Sequence, residues 1–417
     1  MLISELPTPA VLIDRTRLQT NLDAMAERAE TQGVALRPHT KTHKSVALAG
    51  LQRTAGATGL TVAKVGEAEV FAARGFTDIR LAYVTLGAEK WARLVRLEDA
   101  GARISFCVDT PEGARAVSDW YAAHDRRARV LLEIDAGYHR CGVQWDDPDL
   151  PEVARAMADL PGLDLIGILT HAGDAYYGPQ PDADGVVRET REQALRRASN
   201  AERDRMLETA VRLSKAGLAV APTEAGFAVP SREDARKQSG DTVRPAFEIS
   251  IGSTPSLRYF ENAVTGGFRV TEIRPGNYVF HDATQVGLGV ASYRQCALTV
   301  QATVISKHRN RDGGERLFLD AGKKVFTSDS AYGHEGYGVI LYNHQTMEPL
   351  PHHRITGLSE EHGWVGVRGG ATLDVGDTVR IIPNHACVVV NTQREVYVVD
   401  GDEVVDTWTV DAQSRTV

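Results

Sequence analysis

Val34-Ala35-Leu36-Arg37-Pro38-His39-Thr40-Lys41 is a short apolar run that breaks into polar residues and ends on a lysine, and seven further runs of the same kind follow it. They are Leu60 to Val65, Ile79 to Val84, Ile104 to Asp109, Val130 to Asp135, Leu163 to Thr170, Phe247 to Gly252 and Arg269 to Arg274. Amphipathic stretches separate them. Short β-branched strands alternating with helices are the pattern of βα units around a parallel sheet, and eight of them predict a closed (β/α)8 barrel of the TIM type. Helix starts are legible too: in Thr110-Pro111-Glu112-Gly113 the threonine can cap and the proline suits the first turn. Asp182 to Ala216 is densely charged with spaced apolar positions and predicts one or two solvated helices. Glu224 to Pro245 follows neither period and predicts a long loop.

From Cys296 onward the period becomes two. CALTVQATVISKH (296–308), RLFLDAGKKVF (316–326), DTVRIIPNHACVVVN (377–391) and REVYVVDGDEVVDTWTV (394–410) read as strands, with Asp400-Gly401 as a hairpin signal. The expected organisation is an α/β barrel over residues 1–280 and a β domain over 281–417, the first residues being candidates to pack with the latter. A chain of 417 residues can bury a core in each.

Composition excludes several classes of function. Hydrophobic residues at 42%, charged residues at 24% and a formal charge of -8 are ordinary globular values that give no reason to expect a nucleic-acid partner. No apolar run approaches the roughly 20 residues that span a bilayer, and MLISELPTPA lacks the regions of a signal peptide, so no membrane partner and a cytoplasmic location are expected. Cys107, Cys141, Cys296 and Cys387 lack framework spacing and read as thiols or ligands.

In such a barrel, functional residues gather where strands end. Lys41 ends the first strand, Arg140 follows the fifth within Asp135-Ala136-Gly137-Tyr138-His139-Arg140-Cys141-Gly142, and His171 ends the sixth in Thr170-His171-Ala172-Gly173. Gly252-Ser253-Thr254 ends the seventh and Arg274-Pro275-Gly276-Asn277 the eighth. Each alone is unspecific: a lysine at a strand end is usually a surface charge and Gly-Ser-Thr usually a turn. Together they supply an amine for an aldehyde, Gly-rich turns for a phosphate and a stacking partner for a ring. That inventory describes pyridoxal 5'-phosphate.

The segments RPHTKTHK, IDAGYHRCG, THAG, GSTP, RPGNYVF and PNHAC stand in the order found in the D-threonine aldolase and D-serine dehydratase group, which the chain resembles over nearly its whole length and which shares the alanine racemase fold. The resemblance implies that Lys41 is the Schiff-base lysine, that Arg140 partners the phenolic oxygen and that His171 stacks on the pyridine ring. It places Ser253, Thr254, Gly276 and Asn277 around the phosphate and Tyr176 in the active site, and it implies a homodimer. Arg274 matches the ring-nitrogen position of alanine racemases, a role left open here. Two departures bear on substrate preference: Asp174 stands where many members have histidine, and the Glu224 to Pro245 stretch is longer than usual.

Pro383-Asn384-His385-Ala386-Cys387 is the second constellation. On a strand, residues two apart face one side, so His385 and Cys387 could hold one ion, although two inward-facing core residues are the commoner meaning of such a pair. The resemblance makes them metal ligands, and it associates a histidine–cysteine pair with zinc and dehydration, a histidine–aspartate pair with manganese or magnesium and aldol cleavage. A soft thiolate favours Zn2+ over Mn2+ or Mg2+ on chemical grounds. The expected enzyme is therefore a lyase of small D-3-hydroxy amino acids, of the D-serine dehydratase type, with retro-aldol cleavage as the alternative. An amino-acid racemase and a non-catalytic cofactor-binding protein are the readings from other classes; a racemase has no hydroxyl for a metal to activate.

Overall fold

The computed structural model describes residues 1–221, 247–311, 313–368 and 370–417; the predicted loop from Glu224 to Pro245 lies outside them. The chain divides into two compact units, one comprising Met25–Lys41, Leu48–Gly276 and Arg415–Val417, the other Met1–Ala24, Thr42–Ala47 and Asn277–Ser414.

The first strand of the chain, β1 (Ala10–Asp14), belongs to the second unit. The first unit then forms β2 (Ala35–Leu36), β3 (Leu60–Val62), β4 (Asp78–Val84), β5 (Arg103–Val108), β6 (Ala128–Asp135), the short β7 (Val143–Gln144), β8 (Leu163–Leu169), β9 (Glu248–Ile251) and β10 (Glu272–Ile273). Omitting β7, which pairs only with β6, each of these strands overlaps one of the eight predicted runs. Their order is β2-β10-β9-β8-β6-β5-β4-β3, all parallel. A parallel bridge between His39 and Thr61 joins the two ends, so the sheet closes into a barrel. Helices fill the connections. Arg191–Lys215 is one helix, opened by a capping box in which Thr190 and Gln193 each bond the other's backbone, and Pro111–Ala122 starts on the predicted Thr110 cap.

The first predicted strand is shorter than its sequence reads. β2 ends at Leu36, because Pro38 has no N–H for a ladder, and Lys41 sits on a 3-10 turn, Thr40–Thr42, just beyond. The barrel interior also carries charge that hydropathy does not reveal. Glu272 accepts from Arg37 Nε and Arg80 Nη1, each at 2.5 Å, and from the Ser250 hydroxyl at 2.5 Å, while Arg80 pairs with Glu248 and Arg37 with Asp78 at 2.8 Å. Glu272, Arg37 and Arg80 are all buried. Burial alone would raise the Glu272 carboxyl; the two guanidinium groups more than offset it and hold the group far below the usual carboxylate range.

In the second unit, β11 (Leu298–Arg309) is the hub: it pairs with β1, with β12 (Glu315–Leu319) and with β17, and β13 (Val339–Asn343) joins β14 (Glu348–Pro349) to β17 (Thr378–Ile382). β15 (His353–Leu358) and β16 (Gly363–Val367) extend the sheet from β12. β1 lies between β11 and β18 (Glu395–Asp400), which explains why Ala10-Val11-Leu12-Ile13 is an unbroken buried run. β18 turns into β19 (Glu403–Thr409) at the predicted hairpin, with Gly401 at φ 59° as its first turn residue.

Two predicted strands are half helix. RLFLDAGKKVF yields β12 and then a helical turn at Lys323–Phe326, and DTVRIIPNHACVVVN yields β17 and then a helix at Ala386–Thr392. Pro383 ends the ladder of β17. The β-branched residues beyond it bury Ala386, Val389 and Val390, the i, i+3, i+4 spacing of a helix.

Removing one partner from a buried ion pair leaves the others uncompensated, at a cost of about 3–5 kcal/mol. Glu272→Ala should lower the unfolding free energy by about that amount in denaturant titrations, and a loss below about 1 kcal/mol, the level of exposed pairs, would contradict the barrel-interior network.

Candidate active site

At the end of β8, His171 stands edge-on to Tyr138, ring centroids 5.8 Å apart. Burial lowers its pKa first, and the positive charges of Lys41, Arg140 and Arg274 lower it further, so the imidazole is held well below the ordinary histidine value and is neutral. Three cations from separate strand ends thus act on one neutral ring. Gly173 is required beside it: a Cβ there would meet the Tyr138 ring at 2.3 Å. Arg140 lies 3.7 Å from buried Glu133 and has its guanidinium 5.7 Å from the Tyr138 ring centre. Tyr176 is half-buried on the short turn Gly173–Tyr176.

The seventh strand end is built as a cradle. Gly252 has φ 118°, and Ser253 and Thr254 are buried. Ser253 donates its hydroxyl to Ala172 O at 3.1 Å and its N–H to Ser256 Oγ at 3.1 Å, tying this turn to the one after β8. Beneath both lies Glu202, from the Arg191–Lys215 helix, whose Oε1 accepts from Gly252 N at 2.8 Å and Ala172 N at 3.2 Å. Burial pushes this carboxyl up to about 7 against those hydrogen bonds and the Arg274 charge. Glu202 was missed by the sequence reading, since a glutamate in a charged helix carries no sign of being buried. Arg274 donates to the Ser250 hydroxyl and to Thr170 O, and burial brings its guanidinium down to about 10. Gly276 is buried at the end of this unit.

The second unit holds the other constellation. His385 and Cys387 are not on a strand: His385 precedes, and Cys387 lies within, the first turn of the Ala386–Thr392 helix. They nonetheless meet, imidazole hydrogen-bonded to thiol. Burial opposes ionisation of both, but each stabilises the other's charge, so His385 rises to about 10 and Cys387 falls below the usual thiol value. Cys387 Sγ is also 3.3 Å from the Thr42 hydroxyl and 3.8 Å from Asn277 Nδ2. Buried Asp282 fixes the frame, its Oδ2 accepting from Asn277 Nδ2 at 2.5 Å and from Ala386 N at 3.0 Å. The Asn277 side chain therefore belongs with the thiol, and its Oδ1 is buried without a hydrogen-bond partner among the described residues. Displacing the proton that the pair shares would leave one imidazole nitrogen and one thiolate, a donor set that fits a zinc-type ion. Among the described residues no group of three or more His, Cys, Asp and Glu is arranged to hold an ion.

Residues 13–245 match the alanine racemase N-terminal domain family, and residues 297–399 match the putative serine dehydratase domain. D-threo-3-hydroxyaspartate dehydratase from Delftia sp. (strain HT23) is 32% identical over 97% of both chains. The chain belongs to the D-threonine aldolase and D-serine dehydratase group. As a member of that group it is a pyridoxal-phosphate-dependent lyase of the alanine racemase fold. D-threonine aldolase from Arthrobacter sp is 30% identical over 99% of this chain and 94% of that one. The solved structure of the Delftia dehydratase superimposes with a TM-score of 0.80 over 98% of each chain at 32% identity. Further structures of that dehydratase include a histidine-to-alanine variant, and a cysteine-to-alanine variant in the metal-free form; the two replaced positions lie two residues apart. No helix among the described residues of this chain is long and apolar enough to cross a membrane.

Because the folded Glu202 carboxyl titrates near 7 and an unfolded one near 4.3, the stability linked to its protonated form is complete below about 4 and is lost as pH rises through 7. Glu202→Gln has no such titration. Relative to wild type it should gain about 3 kcal/mol in unfolding free energy between pH 4 and pH 8; a pH-independent difference would show that Glu202 is not enclosed beneath the two turns.

Proposed function

We propose that this lyase is a metal-dependent dehydratase of D-3-hydroxy amino acids, with D-threo-3-hydroxyaspartate as lead substrate and D-serine, the substrate expected from sequence, as the second. The observation that carries the reading is the His385–Cys387 pair: its two-residue spacing equals that of the histidine and cysteine replaced in the Delftia dehydratase, whose cysteine variant has a solved metal-free form. We assign zinc to this pair because thiolate is a soft ligand.

Lys41 carries the cofactor aldehyde in this reading. Arg140, His171, Tyr176, Ser253, Thr254 and Gly276 would surround the cofactor, and the backbone of Asn277 would continue that last turn while its side chain stays with Cys387. Pyridoxal phosphate supplies an electron sink at Cα, and a zinc ion supplies a Lewis acid for the departing hydroxide, whose conjugate acid has a pKa of about 15.7. The chain's own contribution is positional and electrostatic. Neutral His171 can lie against an aromatic ring without adding charge, and Arg140 offers a cation to an oxyanion. The turn at Gly252-Ser253-Thr254, braced by its bonds to Glu202 and Ser256, would line the phosphate end. The Lys41 amine would be the base for the Cα proton. A cytoplasmic homodimer completes the proposal.

Retro-aldol cleavage is the second reading, supported by the likeness to the Arthrobacter aldolase. Products separate the two. With pyridoxal phosphate and zinc, D-threo-3-hydroxyaspartate should give oxaloacetate and ammonia, D-serine pyruvate and ammonia, and the L forms nothing. Glycine as main product, with glyoxylate from the hydroxyaspartate or formaldehyde from D-serine, would replace dehydration by aldol cleavage, and full activity after chelation would remove the metal from the reaction.

A further inference from the structure

The imidazole of His385 has two nitrogens, and one of them is spoken for. Nδ1 lies 2.6 Å from Asp329 Oδ2. Asp329 is itself held from below: Asn384, the residue before His385, is buried and donates its Nδ2 to Asp329 O at 2.9 Å and to Gly336 O at 2.7 Å. The two segments are thus tied reciprocally, backbone of 329 to side chain of 384 and side chain of 329 to side chain of 385. Asp329 follows Thr327, which holds a positive φ of 62°, so the carboxylate is presented by a sharply bent loop. As a stabilising ion pair the contact is weak, since both side chains are about two-fifths exposed, 38% and 40%. Its geometry matters more than its energy. A carboxylate on one ring nitrogen fixes the tautomer with the proton at that nitrogen, leaving the other lone pair outward, and makes it a better donor to a metal.

We propose that Asp329 is the positioning residue of the metal centre: it holds the proton on His385 Nδ1 and aims Nε2 at a cation shared with Cys387. The inference rests on the reading of His385 and Cys387 as ligands. It adds a second carboxylate to the frame that Asp282 provides at Ala386 N. Asp282 fixes the backbone between the two ligands, and Asp329 fixes the ring. With one thiolate as ligand and one carboxylate behind the imidazole, a divalent ion would be neutralised in charge while leaving its remaining coordination positions to water or substrate.

The experiment is zinc titration of the metal-stripped, pyridoxal-phosphate-loaded full chain against a chromophoric chelator, for wild type, Asp329→Ala, Asp329→Asn and His385→Ala. Loss of such a carboxylate typically weakens metal binding 10–100-fold. Asp329→Ala should therefore raise the zinc dissociation constant about 10–100-fold, Asp329→Asn, which keeps an oxygen acceptor, should recover part of it, and His385→Ala should lose stoichiometric binding. Cobalt substitution provides the spectroscopic readout: the thiolate–cobalt band should persist in Asp329→Ala with altered ligand-field bands. Equal zinc affinity in wild type, Asp329→Ala and Asp329→Asn would overturn the proposal while leaving the ligands intact. Failure of wild type to bind zinc would instead overturn the ligand assignment on which it stands.

Discussion

The barrel closes through the backbone of Pro38 and His39. Thr61 N donates to Pro38 O at 2.9 Å on one side, and His39 N donates to Pro275 O at 2.9 Å on the other. Pro38 cannot donate to the ladder, but His39 bridges on to both neighbours, and the chain then runs directly into the turn that carries Lys41. One constraint therefore completes the sheet and puts an amine at its C-terminal rim. The side chains below reinforce it: Arg37, adjacent to Pro38, is clamped between Glu272 and Asp78.

In each unit a buried carboxyl that touches backbone organises the turns carrying candidate residues. Glu202 gathers the turns after β8 and β9, and in the other unit Asp282 caps the helix that carries Cys387, where His385 supplies no side-chain cap of its own. Both are buried, and burial raises both above the ordinary carboxylate value. Groups of this kind cost desolvation energy and persist where the fold needs an acceptor for N–H donors that no regular element satisfies.

Strand positions were legible because apolar runs between polar turns are a local signal, and all eight barrel runs carry it. The candidate residues at strand ends were legible for the same reason, since Lys41, Arg140, His171 and the Gly252 turn each interrupt such a run. What escaped was set by tertiary contact. Ala386 to Asn391 has the β-branched composition of a strand, but only its packing decides that positions 386, 389 and 390 face the core. No local pattern marks Thr42–Ala47 for the β unit, and none marks Glu202, Glu272 or Asp329 as partners of residues far away in sequence. The proposed metal pair stands out by its motif, but on a different element: the spacing of two that a strand would align is met by an extended residue followed by a helical turn.

The cofactor chemistry of the proposed reaction depends on Lys41, which has rivals close by in sequence. Lys44 donates to Asn391 Oδ1 at 2.7 Å, and Lys64 lies 3.8 Å from the centre of the Tyr83 ring, so both amines are engaged in contacts of their own. Borohydride reduction of the cofactor-loaded enzyme, followed by peptide mass mapping, tests the assignment directly. The pyridoxyl group should be found on the peptide containing Lys41, with the visible absorption of the cofactor lost on reduction and absent from Lys41→Ala; a label on Lys44 or Lys64, or an unchanged spectrum in Lys41→Ala, would contradict it.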